Sequence, residues 1–304
     1  MNYINKFLIG MVAVLTLPII GCGDGSEDLV PSETEKNLFA VDPSDKSKDA
    51  VLRREFYDNT GIFLLYTDLL GTYKDNFGND REERVDFNWG LNTDSSTQVT
   101  FDELSDSERD EATRLILTYF VPYVNVENGT VKPYSILLVK NLRTGSRQKL
   151  QDFHSCIRCF CINVDNWIGA DDDEAKTLGK DLLKSLVDTK IDYKNEGLDP
   201  FFAICDGLHE ERVADIIPEW IDEQNVEWIY EKGFMSYYPD YWDEIEYDEF
   251  RSREFDLRDF MDALFNEDEA DYKETWGDYP LIIQRYDVLK ECVEALGIDF
   301  NAVK

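Results

Sequence analysis

Cys159-Phe160-Cys161-Ile162-Asn163-Val164, followed by Asp171-Asp172-Asp173-Glu174 and an apolar-periodic segment to Val187, is where this chain changes character. The first run has the length and composition of a buried strand, with Cys159 and Cys161 on one face. The second opens with four acids, which favour the positive end of a helix macrodipole, and continues as a helix. Upstream, Ile62-Phe63-Leu64-Leu65-Tyr66, bounded by Gly61 and Asp68, and Tyr134 to Val139 read as two further buried strands. Order is expected from Pro43, with Ser44 capping a helix that carries Ala50, Val51, Arg54, Phe56 and Tyr57 and stops at Gly61. Ser105 and Glu108 form a capping box for a helix with Ala112, Leu115, Ile116 and Tyr119, stopped by Pro122. Downstream the pattern is helical: Pro200 to Cys205, Leu208 to Ile221, Leu257-Phe260-Met261-Leu264-Phe265, and Ile282-Tyr286-Leu289-Val293-Leu296 ahead of Gly297. Few strands early and many helices late make an α+β domain with a small sheet and a helical C-terminal half. Aromatics recur in every segment after residue 50, which favours one continuous core.

Of 304 residues, 64 are acidic and 31 are Lys or Arg, giving a net charge of −33. Phosphate backbones are repelled by such a surface, so nucleic acid is excluded as a partner. At 43% hydrophobic and 13% aromatic, the chain is too apolar to be disordered.

The N-terminus has its own pattern. Lys6 precedes the apolar run Phe7 to Ile20, which is shorter than the about 20 apolar residues of a membrane span. It ends in Ile19-Ile20-Gly21-Cys22, as a cleaved export signal does. These four residues resemble the lipobox of bacterial lipoproteins, which implies acylation of Cys22 and anchorage in the outer membrane. Residues 1–21 are then a signal peptide, 22–42 an acidic flexible tether, and 43–304 the folded domain. Removing Lys6 with the signal leaves a net charge of −34. Ser26-Glu27-Asp28 resembles the acidic signal that directs Bacteroidetes lipoproteins to face the cell exterior.

Only two histidines, His154 and His209, are present. His209-Glu210 begins an HExxH zinc motif, but Val213 stands where the second histidine belongs. His209 is therefore expected as a helix N-terminal residue above an acidic surface. Cys156 and Cys159 have the CxxC spacing that grips zinc, and Cys205 with His209 can supply the other half of a site. A Cys156–Cys159 disulfide and buried core thiols stand beside that reading; five cysteines after Cys22 leave at least one unpaired or bonded to another chain. Calcium loops, nucleophile elbows, P-loops and dinucleotide fingerprints are not written in the sequence. Tyr237-Tyr238-Pro239-Asp240-Tyr241-Trp242-Asp243 joins flat apolar faces to carboxylates, a composition that suits sugar rings. The simpler reading packs these aromatics onto the domain. Tyr237, Tyr238, Tyr241 and Trp242 are the candidate ligand-binding residues.

Asp49 to Ile62, Gly233-Phe234-Met235-Ser236-Tyr237-Tyr238, and Tyr279-Pro280 through Gly297-Ile298-Asp299-Phe300 together resemble segments of the substrate import-associated zinc metallohydrolase lipoproteins of Bacteroidetes. The resemblance implies a zincin-like domain, a glycan or peptide ligand, and association with a TonB-dependent import complex. It also implies an HExxH helix between the third strand and the Gly-Phe segment. Here that helix, near Leu178 to Val187, reads Lys180-Asp181-Leu182-Leu183-Lys184, and lysines repel Zn²⁺. The family's later acidic helix corresponds to Tyr247-Asp248-Glu249-Phe250. The expectation is a degenerate metallohydrolase without bound cofactor that binds or scaffolds; its rival is an active hydrolase with a non-standard acidic site.

Overall fold

The computed structural model describes residues 37–75, 77–87, 98–127 and 129–302. The expected signal peptide, Cys22 and tether residues 23–36 lie outside these residues. The compact unit begins at Leu38, upstream of Pro43, because Phe39 is buried with its ring against Phe63 and Tyr134.

Helix α1 (Lys48–Thr60) is capped by Ser47, whose Oγ accepts from Ala50 N at 3.3 Å, rather than by Ser44. Ser44 is engaged otherwise: its N and Oγ both donate to Asp42 Oδ1. Gly61, in the left-handed conformation at φ 68°, ends α1 and starts β1 (Phe63–Leu65). An antiparallel hairpin, β2 (Leu69–Lys74) and β3 (Asp80–Arg84), follows. Sequence periodicity does not signal it, since Asp80-Arg81-Glu82-Glu83-Arg84 is charged along its whole length. Next come β4 (Val99–Asp102), α2 (Asp106–Tyr119) and the short α3 (Val121–Val124). Glu108 closes the expected capping box on Ser105, accepting from its backbone N–H at 2.7 Å.

The central strand is β5 (Ser135–Thr144), and it serves two ladders. Its first half lies parallel to β1 and to β8 (Phe160–Asn163). Its second half pairs antiparallel with β4 and with β6 (Lys149–Leu150). Asn141 marks the change at φ 51°, a left-handed conformation that asparagine tolerates; its N–H donates to Asp165 Oδ2 at 2.8 Å. Strand β7 (Phe153–Ser155) closes the edge antiparallel to β8.

Side-chain alternation along the parallel ladder builds two cores. Ile136 and Leu138 of β5, with Phe160 and Ile162 of β8, face the helices. Leu137 and Val139, with Cys159 and Cys161, face Phe39 and Val85 on the other side. Both faces are covered, which is why these strands read as unbroken apolar runs.

Helix α4 (Asp172–Lys190) follows β8. Its N-cap Asp171 accepts from Asp173 N and Glu174 N at 3.1 and 2.9 Å. Gly179 lets α4 approach α2 closely, since a Cβ there would stand 2.0 Å from the Tyr119 carbonyl oxygen.

The C-terminal half comprises α5 (Asp199–Ala203), α6 (Val213–Ile216), α7 (Trp220–Glu223), α8 (Glu227–Glu231), β9 (Tyr237–Tyr238), β10 (Glu249–Phe250), α9 (Arg253–Asn266), α10 (Glu269–Thr275) and α11 (Pro280–Ala295). The single helix expected over Leu208 to Ile221 is instead an extended segment and two one-turn helices. Residues 210–213 run beside β10: Glu210 N donates to Phe250 O, Phe250 N to Glu211 O and Val213 N to Asp248 O. Glu210 at φ 63° and Pro218, which has no N–H to donate, also break the helix. Tyr247 to Phe250 likewise ends as strand, not as the acidic helix that the family resemblance implies. The result is a mixed α+β fold, small-sheeted and helical toward its C-terminus. Among the described residues no helix is long and apolar enough to cross a membrane.

Candidate functional site

Beneath the C-terminal half lies a buried charge network. Arg285 projects from the apolar stripe of α11 and is wholly inaccessible. Its Nη1 donates to Gly233 O at 2.7 Å and to Asp256 Oδ1 at 3.0 Å; its Nη2 donates to Asp256 Oδ2. The guanidinium carbon stands 4.3, 4.6 and 5.2 Å from the ring centroids of Phe201, Phe260 and Phe234. His209 Nε2 lies 2.8 Å from Asp256 Oδ2; because a carboxylate only accepts, Nε2 carries the proton of that bond.

His209 is thus buried between Phe202 and Phe234, not set on a helix terminus over an acidic surface. The network ties α9, α11, the 208–212 segment and the Gly233 turn together. Sequence inspection missed Asp256 and Arg285, although each is a charged residue within an otherwise apolar helical stripe, which is itself a signal for a buried counter-charge.

The four candidate zinc ligands are not brought together. Cys156 and Cys159 border the core that includes Phe39. Cys205 belongs to a separate cluster with Trp220 and Phe234, where its Sγ contacts Lys232 O at 3.1 Å. His209 is committed to Asp256. Among the described residues, no three His, Cys, Asp or Glu side chains are arranged to hold a metal ion. As expected from strand alternation, Cys159 and Cys161 share a buried face; the interaction with Cys156, then burial, pushes the Cys159 thiol well above its ordinary range, and burial does the same for Cys161. His154, on β7, reaches the Phe87 carbonyl at 3.2 Å.

Helix α4 occupies the position at which the resemblance places HExxH. Lys180 and Asp181 are exposed, whereas Lys184 is partly buried and ion-paired with Asp262 of α9. Alongside runs a groove of about 550 Å³, with Leu257, Met261 and Ile191 as apolar floor and Asp188, Asp192, Glu254 and Asp262 around it. Two cations answer these carboxylates: Lys184 pairs with Asp262, and Arg258 with Glu254 at 3.4 Å. Desolvation by the groove walls raises the Asp188 carboxyl above its ordinary value, with Asp262 adding to the rise and Lys184 and Arg258 opposing it. The groove thus sets one desolvated carboxyl, Asp188, beside two ion-paired cations.

The aromatic-acidic loop joins β9 to β10, which pair antiparallel with Tyr237 opposite Phe250 and Tyr238 opposite Glu249. Asp248 pins it from below: Oδ1 accepts from Asp240 N and Oδ2 from Trp220 Nε1, both at 2.9 Å. Asp240 Oδ2 accepts in turn from Trp242 N at 3.0 Å. Tyr237 packs edge-on against Trp220, so for this residue the loop-packing reading holds. Tyr238 is half exposed, with Arg251 6.0 Å above its ring. Tyr241 and Trp242 are 85% and 76% exposed and touch each other edge to face at 5.1 Å. Among the described residues, neither ring stacks against a third aromatic.

Compared with models of protein families, with curated proteins and with solved structures, the chain matches none.

Proposed function

We propose that this chain is a lipid-anchored bacterial surface protein whose zincin-like domain has lost its metal chemistry and binds a glycan or peptide, presenting it to a TonB-dependent import complex. The observation that carries the reading is the Tyr241–Trp242 pair: two large aromatics held in the open on a loop fixed by Asp248. Solvated rings in a constrained geometry lose little entropy on binding and offer flat area to a sugar face. Asp240 and Asp243 beside them supply acceptors for hydroxyl groups. The zincin-like assignment draws support from the order of elements, with the long helix α4 between the third parallel strand and the Gly233-Phe234 segment. Lys184, ion-paired on that helix where the family carries metal ligands, supports the loss of metal chemistry.

Affinity electrophoresis of the intact chain through gels containing neutral polysaccharides tests this proposal. At least one polysaccharide is expected to retard the parent protein. Burial of one large aromatic is worth about 1.5–3 kcal/mol, so Trp242→Ala weakens binding roughly 10- to 150-fold. Retardation of Tyr241→Ala and Trp242→Ala equal to that of the parent would remove the basis of the assignment. The raised Asp188 carboxyl in the α4–α9 groove favours one second reading, an acidic-site hydrolase. Peptide or polysaccharide cleavage that is lost in Asp188→Asn would select it.

A further inference from the structure

We propose that Cys156 and Cys159 form a thiol–disulfide exchange site, with Cys156 as the entering nucleophile and Cys159 as the resolving thiol. The two cysteines terminate the β7–β8 hairpin. The ladder pairs Phe153 with Ile162, His154 with Cys161 and Ser155 with Phe160, and its next rung places Cys156 opposite Cys159. One bond of that rung is made: Cys156 N donates to Cys159 O at 2.9 Å. Directly opposed hydrogen-bonded residues have Cα atoms about 5.5 Å apart, within the range of about 4.4–6.8 Å that a disulfide spans. The two-residue turn Ile157-Arg158 thus turns both cysteines toward one core, each with a free thiol.

Their surroundings differ as the two roles require. Cys156 is partly exposed, beside the exposed Ile157, and open to a soluble disulfide; Cys159 is buried. The Cys156 thiol donates to the Cys159 carbonyl at 3.3 Å; interaction with the Cys159 thiol, opposed by burial and aided by the backbone amides of Arg158 and Cys159, brings it down to about 7. The charged groups around it are Glu83, Arg84, Asp86 and Arg158, of which Asp86 acts against the thiolate. The same interaction with Cys156 is the largest cause of the rise at Cys159. It disappears once Cys156 is in a mixed disulfide, which removes the largest cause of that rise and leaves burial and Cys161 as the remaining ones.

The chemistry is balanced with one external disulfide, R–S–S–R′. The Cys156 thiolate attacks one sulfur, forming Cys156–S–S–R and expelling R′–S⁻, which takes the proton released by Cys159. The Cys159 thiolate then attacks the Cys156 sulfur, forming the Cys156–Cys159 disulfide and expelling R–S⁻, which is protonated by water. Two protein thiols are oxidised and one disulfide is reduced to two thiols.

The test treats the full-length reduced chain with oxidised glutathione at pH 7 and follows it by intact mass and peptide mapping, with circular dichroism confirming the fold of each variant. The parent is expected to yield the Cys156–Cys159 disulfide without retaining glutathione. Cys159→Ser is expected to stop at a glutathione adduct on Cys156, and Cys156→Ser to leave Cys159 unmodified. Iodoacetamide at pH 7 is expected to alkylate Cys156 roughly tenfold faster than an ordinary thiol, reflecting its larger thiolate fraction. A stable glutathione adduct on the parent, equal reaction of Cys159 in Cys156→Ser, or no reaction at either cysteine would overturn the proposal.

Discussion

Replacing Asp256 by alanine should be among the most damaging single changes to this fold. Asp256 accepts from both terminal nitrogens of Arg285 and from His209, with almost none of its surface in water. Its removal leaves a guanidinium at zero exposure with one carbonyl, Gly233 O, and three phenyl rings as its remaining partners. The rings offer a desolvated cation about 2 kcal/mol at best, which does not replace a carboxylate. Breaking one side of a buried ion pair costs about 3–5 kcal/mol, against a total stability of roughly 5–15 kcal/mol. For a domain of this size each kcal/mol lowers the melting temperature by about 2–4 °C, so Asp256→Ala should melt roughly 6–20 °C lower. Asp256→Asn should lose nearly as much, because its amide N–H₂ has to face donors. The double variant Asp256→Leu with Arg285→Met removes both charges and should recover part of the loss, since apolar replacements of buried pairs are often neutral. Thermal and urea unfolding followed by circular dichroism give these differences. A single variant within about 1 kcal/mol of the parent, or a double variant no better than the single, would refute the view that the pair's desolvated charges hold these elements together.

Gly179→Ala should destabilise the fold by about 1–3 kcal/mol although alanine is the better helix former, because its methyl would enter the Tyr119 carbonyl; a stabilised variant in urea melts would refute the close packing of α2 and α4. Glu269 is held by Lys273 and then Lys290, which bring its carboxyl from the ordinary 4.5 down to about 2. A depressed folded-state value stabilises the protein above about pH 4.5, and that contribution is lost as the pH falls through 2. Glu269→Gln should therefore show a shallower decline of the urea midpoint across that window, and a slope identical to the parent's would contradict the assignment.

Local signals in the sequence were reliable where neighbouring residues carry the cause. The Ser105–Glu108 capping box, the acidic start of α4 at Asp171, the stop at Gly61 and the apolar stripes of α9 and α11 all depend on contacts within a turn or two. Strand runs at 63–65, 135–139 and 160–163 were legible because both faces of the sheet are covered. The 208–221 helix failed for a non-local reason: β10, some forty residues on, takes the hydrogen bonds that a helix would have used. The β2–β3 hairpin escaped because it is charged and exposed, with no alternation to read.

The sequence by itself determined the α+β class, the helix boundaries at Gly61, Ser105 and Asp171, the lack of a second histidine beside His209, and the expectation of export and lipidation at residues 1–22. Tertiary structure decided which side chains meet. Asp256 is one of 64 acids, and only folding places it between Arg285 and His209. Folding separates Cys156 and Cys159 from Cys205 and His209, opens the groove between α4 and α9, and leaves Tyr241 and Trp242 in solvent while Tyr237 is packed away. The physical reason is range: caps and periodicity act over one or two turns of chain, whereas burial and ion pairing join groups whose separation in sequence carries no trace of their contact.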